Sequence, residues 1–96
     1  DVDFSGADME EAISSFCPPK ERCNFSKVNW NRGGLQRCMF IDCDFIKINF
    51  TKAKILEVTF VRCNLTDAKR VGLLAPESYM KDSIHPNGQR VSHCSL

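Results

Sequence analysis

A beat of five constrains this chain more than any other feature. Between Cys23 and Lys69, apolar side chains fall at Phe25, Trp30, Leu35, Phe40, Phe45, Phe50, Ile55, Phe60 and Leu65, nine steps without a miss. With 43% of the chain apolar, nine pre-chosen positions would all be apolar about once in 2000 draws. Two residues before each comes something small or apolar: Cys23, Val28, Gly33, Cys38, Cys43, Ile48, Ala53, Val58 and Cys63, and then Ala68. In extended chain, residues i−2 and i point to the same side. Five is odd, so an uninterrupted strand would put successive beats on opposite faces. A corner after each short extended piece removes the conflict, and four corners close a square coil whose beats all point to its axis.

A second period lies above the first. Cys23-Asn24-Phe25-Ser26-Lys27-Val28-Asn29-Trp30-Asn31-Arg32 matches Cys43-Asp44-Phe45-Ile46-Lys47-Ile48-Asn49-Phe50-Thr51-Lys52, and Cys63-Asn64-Leu65-Thr66-Asp67 opens a third copy. Four units therefore make one turn, and successive turns stack at about 4.8 Å, the ordinary spacing of paired strands. Stacking at twenty builds a core ladder of Cys23, Cys43 and Cys63 beside Phe25, Phe45 and Leu65, with Trp30 on Phe50. No proline interrupts residues 23–69, where one would remove a donor from the ladder. This is a solenoid, held by neighbour contacts and in need of caps.

A small residue, then Asn or Asp, then Phe or Leu, then two polar residues resembles the repeat of the pentapeptide-repeat family. Cys23-Asn24-Phe25-Ser26-Lys27, Cys43-Asp44-Phe45-Ile46-Lys47 and Cys63-Asn64-Leu65-Thr66-Asp67 carry the resemblance, which covers residues 23–69 and, through Val2-Asp3-Phe4-Ser5-Gly6 and Ala7-Asp8-Met9, part of 2–9. It implies an all-β fold, a right-handed quadrilateral β-helix of about 2.5 regular coils plus an N-terminal repeat, with short helical or loop caps. Some members of that family imitate duplex DNA and bind type II topoisomerases such as gyrase, as long rods of strong negative charge. This chain has 13 Lys and Arg against 12 Asp and Glu, a net charge of +1, which disfavours that role.

The flanks read differently. The beat breaks after Met9. Met9, Ala12, Ile13 and Phe16 recur at i, i+3, i+4 and i+7, and Asp8 with Glu11 resembles a capping box, so residues 8–16 are expected to form a short helix. Cys17-Pro18-Pro19 would stop it, leaving a loop over 17–22; the alternative is that Ala7–Glu11 continues the repeat and only a loop follows. Past Ala68, Arg70 stands where an apolar residue is due, and Val71, Leu73 and Leu74 are available to cover the open end of the core. Pro76–Lys81 suits a short helix, His85-Pro86-Asn87-Gly88 a turn, and a polar tail follows. The expected organisation is an N-terminal partial repeat with helix and loop (1–22), a β-helix (23–70), and a C-terminal cap and tail (71–96). The chain opens on Asp1 rather than Met, which reads as a processed chain or an excised domain.

Little chemistry stands out. Of six cysteines, Cys23, Cys38, Cys43 and Cys63 occupy the slot where Val, Ala, Ile and Gly also occur. They read as free, buried, structural thiols and favour a reducing, cytoplasmic setting, whereas Cys17 and Cys94 lie outside the pattern and could be exposed. His85, His93 and Cys94 with Cys17 lack the paired C-x-x-C spacing of a zinc site, so neither metal nor cofactor is expected. No nucleophile–base–acid set or phosphate loop is visible, which makes an enzyme, or a small-molecule substrate, improbable. Asn24, Asn49 and Asn64 each open an Asn-x-Ser/Thr sequence, the basis of an alternative reading as a secreted or luminal glycosylated receptor domain. The near-zero net charge gives no reason to expect nucleic acid or a membrane surface as partner, and no apolar run approaches the roughly 18 residues of a membrane span.

What remains is the exterior. Met39, Ile41, Ile46, Val61 and Leu56 are apolar at outward positions and form the candidate contact surface. Met39, Ile41 and Val61 fall on one face and Ile46 on the next. Lys27 and Lys47 share one column and Arg32 and Lys52 the next, a basic edge that is either a solvated face or a contact for an anionic partner. The leading expectation is a non-enzymatic interaction or structural module, acting on an unidentified protein or on itself.

Overall fold

The computed structural model describes residues 2–15 and 19–96, and among these residues every regular element is a strand. The strands are β1 (Ile13–Ser15), β2 (Lys20–Glu21), β3 (Gly34–Gln36), β4 (Met39–Ile41), β5 (Lys54–Leu56), β6 (Thr59–Val61), β7 (Tyr79–Ile84) and β8 (Arg90–Ser95). One sheet runs β1-β3-β5; the other runs β2-β4-β6-β7-β8, parallel except for the last pair. Pairing at a distance of twenty holds the sheets together: Leu35 opposite Ile55, Phe40 opposite Phe60, Thr59 opposite Tyr79. Single parallel bridges tie the other two sides of the coil, through Asn24, Asp44 and Asn64 and through Asn29, Asn49 and Lys69. A square coil with a period of twenty is therefore the observed fold. In the second coil its four sides are residues 23–27, 28–32, 33–37 and 38–42.

The expected ladder forms the core. Cys23, Cys43, Cys63, Phe25, Phe45, Leu65, Trp30 and Phe50 are all buried. Phe4, Phe25 and Phe45 stack with centroids 5.1 and 5.0 Å apart, and Phe40 stacks on Phe60 at 5.5 Å. The two stacks meet edge to face, as at Phe45 and Phe60 (5.1 Å, 89°), the arrangement favoured by ring quadrupoles. The Trp30 indole N–H donates to Ala12 O (3.0 Å) and fills the neighbouring slot, so a Cβ on Gly33 would lie 1.8 Å from Trp30 Cδ1. Only glycine fits there.

Every fifth residue turns the corner in the left-handed region. From Arg22 through Lys27, Arg32 and Arg37 to Asp82, each has positive φ, with Gly72 the one glycine in the series. Non-glycine residues adopt this region at a cost of about 1–3 kcal/mol each, which the parallel ladder on either side has to outweigh.

Two kinds of corner alternate in pairs. After the first and second sides the corner is closed by a turn bond: Val28 N–H donates to Phe25 O, Gly33 N–H to Trp30 O, Ile48 N–H to Phe45 O and Ala53 N–H to Phe50 O. With positive φ at the third residue these are type II turns. Each is braced by the Asn or Asp ahead of the beat, whose Oδ1 accepts the N–H two residues on. Examples are Asn24 from Ser26 (2.9 Å), Asp44 from Ile46 (2.9 Å) and Asn49 from Thr51 (3.0 Å).

The corners after the third and fourth sides are open, and there the backbone at the slot meets side chains. Val58 N–H donates to Ser78 Oγ (3.2 Å) and Cys63 N–H to Ser83 Oγ (3.1 Å). In turn the slot side chain donates to carbonyls: Cys43 to Lys20 and Ile41, Cys63 to Phe40 and Val61, Ser78 to Ile55 and Pro76, Ser83 to Phe60 and Lys81. Cys23 and Cys38 donate to Glu21 O and Gln36 O. Closed-corner slots hold Ala7, Ala12, Val28, Gly33, Ile48, Ala53, Ala68 and Leu73, none with a side-chain donor. The cysteines are more than small hydrophobes: they stand at the corners where side-chain donors and acceptors serve the backbone.

Three flank expectations are overturned. Residues 8–15 form no helix: Glu10–Glu11 make a corner, and Ile13–Ser15 pair with Gly34–Gln36 as a strand. Met9 and Ala12 satisfy a helical stripe and an inward beat equally well, and parallel pairing to the next coil decides between them. The N-terminal coil pairs at twenty-one (Asp3–Asn24, Asp8–Asn29, Ile13–Gly34) and returns to twenty at Lys20–Phe40, so one extra residue between Ser15 and Lys20 accounts for the broken beat. Phe16 and Cys17 lie outside the described residues. The expected loop over 17–22 contains the short strand Lys20–Glu21. Pro76–Lys81 is likewise not a helix. Pro76 precedes a corner, β7 starts at Tyr79, and Met80 continues the column of Phe40 and Phe60, fully buried.

The end of the core is covered by Leu73, Ala75, Val91, Cys94 and Leu96, whereas Val71 and Leu74 point to solvent. The tail is ordered. It reverses through a turn at His85–Gln89 and returns as β8 along β7, covering an edge that would otherwise invite pairing.

Candidate interaction surface

The outer face of the five-stranded sheet gathers part of the expected patch. The register lines up Met39, Thr59 and Tyr79 in one outward column and Ile41, Val61 and Lys81 in the next. Met39 and Tyr79 are 39% and 38% exposed; Ile41 and Val61 are half-buried between their neighbours. β8 adds His93, whose ring stacks on Tyr79 with centroids 5.2 Å apart. The other two residues are elsewhere. Ile46 lies on the first side, one coil from the hydroxyl-bearing Ser26 and Thr66, and Leu56 is on β5 in the other sheet. The patch is thus Met39, Ile41, Val61 and Tyr79. Tyr79 was hidden from sequence reasoning because its segment read as a helix.

The four edges of the coil carry the corner residues, and their charges differ. At the closed corners Lys27 stacks with Lys47, and Arg32 with Lys52; all four are exposed, and among the described residues none makes an ion pair. At the open corners both signs occur: one column alternates through Arg22, Asp42, Arg62 and Asp82, and the other runs Arg37, Glu57, Glu77. Arg62 Nε and Nη2 donate to Asp42 at 2.7 and 3.2 Å, and Arg37 meets Glu57 at 3.3 Å. The hydrogen bond from Arg62 holds the Asp42 carboxyl below its ordinary range and pushes the guanidinium up. The side between the two basic edges is polar: Asn49 donates to Asn29 (3.3 Å), and Asn29 and Asn31 donate to Asp8 and Glu10 in the coil before.

A groove of ≈ 580 Å³ runs over the third side, across β1-β3-β5. Its outer columns are Ile13, Gly34, Lys54 and Leu74, and Gln36 with Leu56. Gly34 leaves the dent, and Ile13 Cγ1 lies 3.7 Å from where its Cβ would stand. Sequence reasoning counted Leu56 but missed Ile13 and Leu74, having assigned one to a helix and the other to the cap.

The family model described as "Pentapeptide repeats (8 copies)" matches residues 21–55, a stretch that contains both corner types. The chain carries pentapeptide repeats. Among solved structures it is similar to HetL, a pentapeptide repeat protein involved in heterocyst differentiation regulation from the cyanobacterium Nostoc sp. strain PCC 7120, at 11% identity and a TM-score of 0.35. That match covers 93% of this chain, which spans 53% of the length of HetL. No curated protein sequence matches the chain.

The pentapeptide coil places the remaining sequence candidates in structural roles. Cys23, Cys43 and Cys63 form one buried column, in which the hydrogen bond between Cys43 and Cys63 pushes the Cys63 thiol up and the Cys43 thiol down, and burial keeps both out of the accessible setting that reactive thiols occupy. Asn49 Oδ1 accepts from both the N–H and the hydroxyl of Thr51, and Asn64 Oδ1 from those of Thr66, so these side chains brace pentapeptide corners. Cys94 packs against the core, and His85 Nδ1 accepts the N–H of Asn87 in the turn. Among the described residues no three His, Cys, Asp or Glu side chains gather as metal ligands, and no helix is long and apolar enough to cross a membrane.

Proposed function

We propose that this pentapeptide-repeat solenoid is a non-enzymatic protein-interaction module that presents the outer face of its five-stranded sheet to a partner protein or to a second copy. The observation that carries this reading is the register that sets Met39, Ile41, Val61 and Tyr79 on one flat surface of β4, β6 and β7. A methionine and an aromatic on either side of Thr59, beside Ile41 and Val61 and bordered by Lys81 and His93, suit a contact surface with an apolar majority and a polar rim. Slot cysteines that serve the backbone as free thiols suit a reducing compartment.

The test compares Met39→Asp/Val61→Asp with Lys69→Glu on another side. A photo-crosslinker at Thr59 in cell extract and sedimentation velocity of the purified chain report the complexes formed. Loss of those complexes in the double variant, with retention in Lys69→Glu, supports the reading. Complexes that survive Met39→Asp/Val61→Asp unchanged contradict it.

A further inference from the structure

The groove over β1-β3-β5 lies on a different side of the coil from the sheet face above, and the charges in its lining are of one sign. Its floor and ends are apolar, from Ile13 (75% exposed) across Gly34 and Leu56 to Leu74 (59% exposed). Its lining contains three cations, Arg32, Lys52 and Lys54, and no carboxylate. Arg32 and Lys52 stand one above the other at a closed corner and make no ion pair among the described residues. On the opposite rim Glu57 is engaged with Arg37 at 3.3 Å and Glu77 follows it one coil on, while Glu11 precedes Arg32 on the near edge; these carboxylates stand outside the lining. Lys54 lies in the column between Gly34 and Leu74 and adds an exposed cation to the lining.

From these observations we infer that the groove binds an extended acidic peptide segment carrying apolar side chains. The rows from Ile13 to Leu74 span three coil spacings, about 14 Å, which takes about four residues of extended chain. Such a segment aims alternate side chains to opposite sides, so leucine-like groups enter the dent at Gly34 and along Leu56 while carboxylates reach the wall of Arg32 and Lys52. A polyanion without apolar groups would satisfy the wall and leave the floor wet.

The test uses a fluorescein-labelled heptapeptide of alternating glutamate and leucine, measured by fluorescence polarisation against the full chain. Two control peptides replace every glutamate by glutamine or every leucine by serine, and an oligo(dT) twelve-mer represents a bare polyanion. Gly34→Val fills the dent. A Cβ there makes only ordinary contacts, at 3.6 Å from Lys54 O, and the residue is in a strand that favours β-branched side chains. Arg32→Glu/Lys52→Glu reverses the wall at two exposed positions, so it tests the site even if Gly34→Val misfolds. Saturable binding is expected, about tenfold weaker for either variant and for either control peptide, and unchanged in Met39→Asp/Val61→Asp. The inference is overturned by absence of saturable binding up to millimolar protein, by affinity that Arg32→Glu/Lys52→Glu leaves unchanged, or by oligo(dT) binding as tightly as the heptapeptide.

Discussion

The closed-corner and open-corner edges of the coil share a backbone turn and differ in nearly everything else. Both turn through a left-handed residue, usually charged, stacked on its counterparts one coil away. At the closed corners the turn satisfies its own backbone with a type II bond and an Asn or Asp brace, and the inward slot is aliphatic or glycine. At the open corners backbone groups of the turn pair with inward thiols and hydroxyls. The charges follow this division only in part: signs alternate along Arg22, Asp42, Arg62 and Asp82, and like sits on like for Lys27 over Lys47 and Arg32 over Lys52, but Glu57 and Glu77 are also like charges at an open corner, and Glu11 and Asp67 continue the closed-corner columns of Arg32 and Lys47. Stacked like charges gain nothing from each other, so Arg62 and Asp42 spend their charge on each other while Lys27, Lys47, Arg32 and Lys52, which make no ion pair among the described residues, hold theirs available to a ligand. The groove lies where one edge of each kind faces the other.

The largest break in this comparison comes at a closed slot whose size, rather than polarity, is fixed. Gly33→Ala drives a methyl group into the Trp30 indole and is expected to cost about 1–3 kcal/mol, with a fall in melting temperature of several degrees by circular dichroism. Trp30→Phe in the same chain relieves the contact with the indole and recovers only part of the loss, because the new Cβ also lies 2.8 Å from Ala12 O. An unchanged melting temperature for Gly33→Ala would mean the indole is placed elsewhere.

A smaller effect tests the open edge. Asp42 has its carboxyl pKa depressed by Arg62, so the ionised form is favoured in the folded chain. The stabilisation is present above the ordinary carboxylate range near 4 and is lost as pH falls through the depressed value. Asp42→Asn should therefore lower stability modestly at neutral pH, and the difference from wild type should vanish toward pH 2. A difference that persists there would assign the effect to packing instead of charge.

The period of twenty and the core columns were legible in the sequence because inward positions tolerate little: Phe25, Phe45 and Leu65 must match across coils whatever lies outside. The flanks were less legible, for specific reasons. Met9 and Ala12 fit two periods at once, and only the partner strand Gly34–Gln36 chooses between them. Ser78 and Ser83 fall in the inward slot beyond the missed beat at Arg70, and both are buried with their hydroxyls bonded, so the core continues past the point where the pattern ends. Outward positions carry no periodic constraint. Met39, Ile41 and Val61 could be assigned to one face by counting, whereas Tyr79 and Leu74 depended on coils that the sequence pattern did not reveal.

The corner rule itself is tested most directly at Ser83, where a single hydroxyl accepts Cys63 N–H and donates to Phe60 and Lys81 carbonyls. Denaturant unfolding of Ser83→Ala and Ser83→Cys is the decisive measurement. The rule predicts that alanine, which leaves a buried N–H without its acceptor, costs about 1–3 kcal/mol, while cysteine, the residue used at this corner in the three coils before, retains most of the stability. Alanine as stable as serine, or cysteine no better than alanine, would contradict it.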